Sequence, residues 1–235
     1  ITLVRDGAGR VIESTRNVPE TGLPTLGDVD LTAGSAGQIA SFTYDALGSR
    51  TDDGLRTYSW NLAKELEDYT EAMNTVSFTY DGMGMATSRT EAATTRDFVW
   101  NYALPLPSVS IEREMGSDVR YYVHAPGGAL LYSIDAATGD RHMYHYDEFG
   151  NTLFLSDDMG AVTDSYEYDP FGSILSETTS TNNAYTWQGR YGVRQEGASG
   201  MYYMRARWYD ASSMSFLSRD PIPSASPWLL QPYQY

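Results

Sequence analysis

Several residue types and patterns are missing from this chain, and each absence excludes a kind of site. The 235 residues contain no cysteine, which excludes disulfides, thiolate metal ligands and a cysteine nucleophile within them. No apolar run approaches the about 18 residues that indicate a membrane-spanning helix. The three histidines, His124, His142 and His145, lack the spacing of metal ligands, and no phosphate-binding or Gly-x-Ser-x-Gly motif occurs. We therefore expect no metal, no cofactor and no membrane span.

Basic residues are scarce. Lysine and arginine together number 16 against 31 acidic residues, so the formal net charge is −15, and Lys64 is the single lysine. A phosphate backbone would be repelled by most of such a surface, so we expect no nucleic-acid partner. The charge is typical of a soluble, solvated surface. Attraction of a basic partner or cargo is the alternative.

Aromatic residues and glycine are abundant. The chain has 19 tyrosines, 5 tryptophans and 21 glycines. Tyrosine and tryptophan favour strands, and scattered glycines favour turns. The length is sufficient to bury a core without disulfides. The composition therefore predicts an all-β protein.

One short string recurs along the chain. It reads FTYDALGSR at 42–50, FTYDGMGMA at 78–86, YHYDEFGNT at 144–152 and YEYDPFGSI at 166–174, with a looser copy, LVRDGAGRVI, at 3–12. Degenerate copies place Asn61, Asn101 and Ala125 at the Asp position. The marker positions 45, 61, 81, 101, 125, 147 and 169 are 16 to 24 residues apart. A unit of roughly 20 residues thus repeats through most of the chain.

Each unit reads as a β-hairpin. Alternating residues predict a strand, an Asp begins the turn by accepting backbone N–H bonds, and a Gly supplies positive φ. The predicted turn residues are Asp45, Asp81, Asp147, Asp169, Asp210, Gly48, Gly84, Gly150 and Gly172, and the predicted core aromatics are Tyr44, Tyr80, Tyr146, Tyr168 and Tyr209. A calcium-binding row of carboxylates is disfavoured, because metal loops bring their ligands within about a dozen residues.

Stacked hairpins bury the apolar face that one hairpin leaves exposed, and a long sheet twists. We therefore expect a curved or spiral sheet, with free edges that favour self-association. The segment 61–73 conflicts with this register, because Leu62, Leu66, Tyr69 and Met73 also fit an amphipathic helix capped by Asn61. The repeat register favours a turn and a strand there. The segment 17–40 has no marker and reads as an insertion loop.

From about Tyr144 the chain becomes more aromatic. Its strings are YHYDEFGN at 144–151, YDPFG at 168–172, YTWQGR at 185–190, MYYMRARWYD at 201–210 and SFLSRDP at 215–221. Over roughly 145–222 these strings resemble the Rhs-repeat-associated core domain of YD-repeat proteins. The resemblance divides the chain into YD-repeat hairpins at 1–143 and a core domain at 144–235, truncated at its C-terminus.

The resemblance implies a hollow β-shell that the core domain plugs. The expected partners are an enclosed C-terminal toxin or cargo domain and the rest of the parent shell. The expected location is secreted or on a cell surface, in a bacterium. An adhesion module that binds a receptor or glycan is the alternative, because animal teneurins are similar to the same family.

The resemblance also implies half of an aspartyl autoprotease. Asp220, in the string Ser218-Arg219-Asp220-Pro221, matches the first carboxylate of that site, and Arg219 matches a substrate-guiding position. Pro223 stands where the motif has Gly, and no second Asp-Pro motif follows. Since such chemistry needs two carboxylates that share a proton, Asp220 is either a half-site or a turn residue.

Overall fold

The computed structural model describes residues 2–5, 11–15, 38–221 and 232–233, and strands make up nearly all of its regular structure. The all-β prediction is confirmed. Among these described residues no helix is long and apolar enough to cross a membrane. The segment 17–40, predicted to be a loop, lies outside the described residues up to position 37.

The described residues form twenty strands. They are β1 (Thr2–Arg5), β2 (Val11–Thr15), β3 (Thr43–Tyr44), β4 (Arg50–Asp52), β5 (Arg56–Trp60), β6 (Leu66–Glu71), β7 (Asn74–Tyr80), β8 (Ala86–Glu91), β9 (Thr94–Asn101), β10 (Ser108–Glu114), β11 (Ser117–His124), β12 (Leu130–Asp135), β13 (Arg141–Tyr146), β14 (Thr152–Ser156), β15 (Val162–Tyr168), β16 (Ile174–Thr178), β17 (Arg194–Glu196), β18 (Met201–Tyr203), β19 (Trp208–Asp210) and β20 (Ser215–Phe216). A short 3-10 helix, Gly189–Tyr191, lies between β16 and β17.

The strands form one long sheet, one short sheet and a hairpin. Strands β3 to β16 make a 14-stranded sheet in sequence order, β17 to β20 make a 4-stranded sheet, and β1 pairs with β2. All pairs are antiparallel, so successive turns of the long sheet alternate between its two edges. The turns that hold the markers 45, 61, 81, 101, 125, 147 and 169 all lie in one row at the same ends of the strands, and we call this row of turns the marker edge. The row of turns at the other ends of the strands is the opposite edge.

The conflict over residues 61–73 is resolved as a turn followed by a strand. Strand β6 pairs with β5 on one side and with β7 on the other. Leu66 and Tyr69 are buried, whereas Leu62 and Met73 lie in exposed turns at the two ends of the strand. The helical spacing arises by coincidence, because two turn residues and two inward-facing strand residues happen to follow one another at intervals of three or four positions.

The change in composition near Tyr144 occurs without a break in the long sheet. The predicted domain boundary between 143 and 144 falls inside β13, and the long sheet continues to Thr178. The short sheet begins only at Arg194.

The long sheet curls around the short one. One core cluster joins Leu66 and Phe78, from the first half of the long sheet, to Trp208 of the short sheet. A second cluster joins Tyr168, next to the other end of the long sheet, to Tyr209. Because distant strands of a twisting sheet contact the same four short strands, the long sheet is a curved wall and the short sheet is its filling.

Candidate functional site

The marker turns share one hydrogen-bond pattern. At Asp45, one carboxylate oxygen accepts the backbone N–H groups of Leu47 and Ser49 at 2.9 and 2.8 Å. The N–H of Gly48, whose φ is 85°, donates to the Asp45 carbonyl at 3.1 Å. The same two side-chain bonds occur at Asn61, Asp81, Asp147 and Asp169. No group of three or more metal-ligating side chains occurs among the described residues.

The aromatic residues before five of the seven markers tie one hairpin to the hairpin before it. Each donates its polar hydrogen to a backbone carbonyl that lies five residues after the preceding marker. The donors and acceptors are Trp60 to Arg50 (2.7 Å), Tyr80 to Leu66 (2.9 Å), Trp100 to Ala86 (2.7 Å), Tyr146 to Leu130 (2.7 Å) and Tyr168 to Thr152 (2.7 Å). Sequence reasoning placed Tyr80, Tyr146 and Tyr168 in the core but missed this ladder. The signal was the restriction to Tyr and Trp, which carry a donor that Phe lacks.

The marker edge is where the C-terminal part of the chain docks. All four predicted turn glycines offer their carbonyl oxygens to that part. The bonds are Tyr233 hydroxyl to Gly48 (2.6 Å), Tyr203 hydroxyl to Gly84 (3.3 Å), Arg190 N–H to Gly150 (3.1 Å) and Tyr202 hydroxyl to Gly172 (2.7 Å). Burial raises the pKa of Tyr203 to about 12, so this phenol keeps its proton at neutral pH and donates.

Three of these glycines have no room for a side chain, and Gly48 among them faces the Arg219 side chain and the Tyr233 hydroxyl. A Cβ on Gly150 would lie 2.5 Å from the ring of Tyr191, and one on Gly172 would lie 2.6 Å from the ring of Trp187. At the opposite edge a Cβ on Gly54, Gly116, Gly139 or Gly160 would meet no described atom within 4 Å. The turn glycines of the marker edge therefore also serve as close-contact points.

Asp210 and Tyr209 lie in the short sheet and not in the marker row with which the sequence grouped them. Tyr209 is buried and donates its hydroxyl to the Phe171 carbonyl at 2.9 Å. Asp210 still begins a turn, because its side chain accepts the N–H of Ser212 at 3.1 Å. The short string Trp-Tyr-Asp resembles a marker locally, while its surroundings are those of a core.

A buried ion pair joins the two sheets at Asp210. Its carboxylate lies 2.8 Å from the guanidinium of Arg50, and both side chains are inaccessible to solvent. Arg50 also donates to Ser213 and Ser215 at 2.9 and 2.8 Å. Burial alone would raise the pKa of Asp210, but the charge of Arg50 and hydrogen bonds from Ser212 and Ser213 hold it below its usual value. The pair remains charged and clamps the wall to its filling.

The predicted protease residues lie at the end of the short sheet. The Asp220 carboxylate is 41% exposed and lies 3.2 Å from the guanidinium of Arg207. Arg207 in turn stacks on the Phe216 ring at 3.5 Å and donates to the Pro232 carbonyl at 3.2 Å. Arg219 lines a neighbouring cavity of about 200 Å³ and approaches Gly48. The structure thus brings Asp220 next to a cation and a docked C-terminal segment.

Two Bacillus proteins are similar in sequence along nearly the whole chain. The tRNA3(Ser)-specific nuclease WapA of Bacillus spizizenii and the tRNA nuclease WapA of Bacillus subtilis are each 27% identical over 232 residues, which is 96% of this chain and 9% of theirs. The Escherichia coli protein YibJ is 34% identical over 97 residues, which is 40% of this chain and 39% of YibJ. No family model matches the chain.

Two solved toxin structures contain the same arrangement of strands. The Photorhabdus luminescens Tc holotoxin pore superposes with a TM-score of 0.65 over 87% of this chain, at 17% identity. The crystal structure of TcdB2-TccC3 superposes with a TM-score of 0.60 over 76%, also at 17% identity. These likenesses establish the fold. The chain spans about a tenth of the length of each of these toxin chains and of WapA.

Proposed function

We propose that this chain is a wall-and-plug segment of a secreted or cell-surface Rhs-type shell that encloses a C-terminal cargo polypeptide. The observation that carries the proposal is the docking of the C-terminal part of the chain, which includes the short sheet, onto the marker edge of the long sheet. The closed end of a shell requires a curved wall, a filled inner face and turns that are held in place. The long sheet, the short sheet and the C-terminal segment would supply these three parts.

The similarity to WapA and to TcdB2-TccC3 supports this proposal. These proteins are much longer than this chain, so the remainder of such a protein has room for further wall and for cargo. Among the described residues, β3 and β16 at the two ends of the long sheet each pair with another strand on one side only, and such strands can pair further. Neighbouring repeats of the parent, or a second copy, would pair there.

Protease protection of the downstream polypeptide tests the proposal. The full-length natural protein is treated with a broad-specificity protease, and cleavage beyond Tyr235 is followed by mass spectrometry. We expect slow cleavage in the natural protein and fast cleavage in Arg50→Met, which opens the clamp between the two sheets. Arg113→Met, at an exposed ion pair with Asp118, is the matched control.

Fast cleavage of both the natural protein and Arg50→Met would contradict enclosure. If both are slow, the downstream polypeptide resists protease by itself, and the same assay on that polypeptide expressed alone distinguishes this from shielding by another part of the shell.

A second function, autoproteolysis, is favoured by one observation. Asp220 lies beside Arg207, next to the docked Pro232–Tyr233 segment that leads downstream. If Asp220 is catalytic, the full-length protein appears by intact mass as two fragments, and Asp220→Asn remains whole. If both remain whole, Asp220 is a turn residue.

Adhesion is a third function, and the exposed aromatics of the marker edge favour it. Phe149 and Phe171 are exposed at turn tips, and Tyr191 is exposed beside them. Saturable binding to a glycan array that is lost on Phe149→Ser would support it, and unchanged binding would count against it.

A further inference from the structure

Pro232 and Tyr233 lie between strand β20 and the marker turn at 45–49. Among the described strands, β20 stands at one end of the short sheet and pairs only with β19. On its other side the backbone N–H of Phe216 donates to the Tyr233 carbonyl at 2.9 Å. Just beyond β20, the N–H of Asp220 donates to the Pro232 carbonyl at 3.0 Å. The backbone of this two-residue segment is therefore bound along the outermost strand of the short sheet.

The side chain of Tyr233 fills a slot next to this strand. Only 4% of the residue is exposed, and its ring meets the Tyr44 ring edge-on, with the ring centres 5.6 Å apart. Its hydroxyl donates to the Gly48 carbonyl at 2.6 Å and accepts a bond from the Gln38 side-chain amide at 3.3 Å. Burial raises the pKa of this phenol, so it keeps its proton at neutral pH. Gln38, Tyr44, Gly48 and Phe216 thus form what we call the tyrosine slot.

The tyrosine slot is complementary to a phenol in both polarity and shape. A phenylalanine ring would fill the same space but would leave the buried Gly48 carbonyl without its hydroxyl donor. The slot also depends on glycine at position 48, because a Cβ there would lie 2.6 Å from the Tyr233 hydroxyl oxygen. The slot therefore distinguishes tyrosine from the residue that most resembles it.

Arg207 adds a second donor to the same segment. One guanidinium nitrogen donates to the Pro232 carbonyl at 3.2 Å, and another lies 3.2 Å from the Asp220 carboxylate. The two partners of the Tyr233 hydroxyl stand 185 and 195 positions earlier in the chain. The segment is thus held as a sheet edge holds an extended peptide, because backbone bonds supply affinity and a side-chain pocket supplies specificity.

We propose that the tyrosine slot is a peptide-recognition site that binds a proline–tyrosine pair in its own right and so tethers the polypeptide that continues from Tyr233. Recognition does not depend on the covalent link through residues 222–231. The ligand is a peptide whose tyrosine enters the slot and whose backbone bonds to β20. Identifying the tethered polypeptide as an enclosed cargo rests on the proposed function, whereas recognition of the peptide does not.

Cutting the link tests the slot while the rest of the chain stays unchanged. A recognition sequence for a site-specific protease is inserted between Ser224 and Ala225, and the chain is cut there. We expect the C-terminal fragment to remain bound in native mass spectrometry. A fluorescein-labelled peptide with the sequence of residues 227–235 should then exchange with that fragment and bind saturably, as followed by fluorescence anisotropy. The uncut chain, whose slot Tyr233 already fills, should bind this peptide at least about tenfold more weakly.

Competition by unlabelled peptides tests specificity without altering the folded chain. The peptide with Tyr233→Phe should compete about tenfold less well, because the Gly48 carbonyl loses its donor, and the peptide with Tyr233→Ala should not compete measurably. In the cut chain, Gly48→Ala should weaken binding of the natural peptide at least about tenfold, because its Cβ enters the slot. Gly54→Ala is the matched control. Gly54 also has positive φ, but no described atom lies within 4 Å of its Cβ position, so the affinity should be unchanged.

Two results would overturn the proposal. One is release of the fragment on cutting, with no saturable binding of the labelled peptide. The other is equal competition by the tyrosine and phenylalanine peptides together with no effect of Gly48→Ala, because the peptide would then bind elsewhere. If the peptide binds as expected while the protease assay shows no enclosure, the slot stands and the cargo assignment fails. If the peptide does not bind while the downstream polypeptide is protected, enclosure stands without this tether.

Discussion

The two edges of the long sheet carry the same kind of turn in different surroundings. At the marker edge Asp169 accepts two backbone N–H groups and Gly172 has positive φ, and at the opposite edge Asp157 and Gly160 do the same. Of these two glycines, only Gly172 lies against another described part of the chain. Local turn chemistry therefore forms the hairpin, and the residue facing the turn decides whether it also joins two sheets.

Between the two edges, we expect the largest difference in the loss of unfolding free energy when an ion pair is broken. Arg50 follows a marker turn and is buried with Asp210, whereas Arg113 precedes an opposite-edge turn and pairs with Asp118 at the surface. Removing one partner of a buried pair costs about 3–5 kcal/mol, whereas removing one partner of an exposed pair should leave the unfolding free energy nearly unchanged. Urea unfolding of Arg50→Met and Arg113→Met measures both. Similar losses would show that the buried clamp does not hold the sheets together.

The same pair predicts a dependence on pH. The pKa of Asp210 is lowered in the folded chain, so its contribution to stability is fully present above its unfolded value of about 3.9 and is lost as the pH falls through the folded value. We expect the unfolding free energy to decline below about pH 4. Asp210→Asn should be less stable at neutral pH and should show a shallower acid decline. An identical decline in this variant would assign the effect to other carboxylates.

We expect the next largest difference in unfolding free energy when a turn glycine is replaced by alanine. Alanine at either Gly172 or Gly160 forces a side chain into positive φ, at a cost of about 1 kcal/mol. At Gly172 the new Cβ would also meet Trp187 at 2.6 Å, and such overpacking adds about 1–3 kcal/mol. Urea unfolding of Gly172→Ala and Gly160→Ala measures the difference. Equal losses of unfolding free energy in the two variants would mean that the residues facing Gly172 shift easily to make room for the new Cβ.

The sequence predicted the wall much better than the filling. The spacing of the marker residues predicted the hairpins, because each hairpin is a local structure of about 20 residues. The partner of Arg50 lies 160 positions away, and no local pattern specifies such a pair. The ion pair between Arg89 and Glu196 was missed for the same reason: the two residues stand on strands far apart in sequence, and a single glutamate reads as a solvated surface residue.

A smaller effect is expected in the aromatic ladder. The Tyr168 hydroxyl donates to the Thr152 carbonyl at 2.7 Å in a buried place, so Tyr168→Phe leaves that carbonyl without this donor and should cost about 1 kcal/mol. Tyr191 is exposed and contacts the Gly150 turn with its ring. Tyr191→Phe should therefore leave the unfolding free energy nearly unchanged in the same urea unfolding experiment. A neutral Tyr168→Phe would show that ring packing alone joins neighbouring hairpins.

The smallest difference is expected at the turn carboxylates, where the two edges should agree. Asp169 accepts N–H groups at 2.7 and 2.9 Å, and Asp157 accepts the equivalent groups at 2.9 and 2.9 Å. Since both carboxylates act within their own turns, Asp169→Ala and Asp157→Ala should each cost about 1 kcal/mol in urea unfolding. A much greater loss at Asp169 would mean that docking depends on the shape that its carboxylate gives the turn, because Gly172 then fails to present its carbonyl to Tyr202.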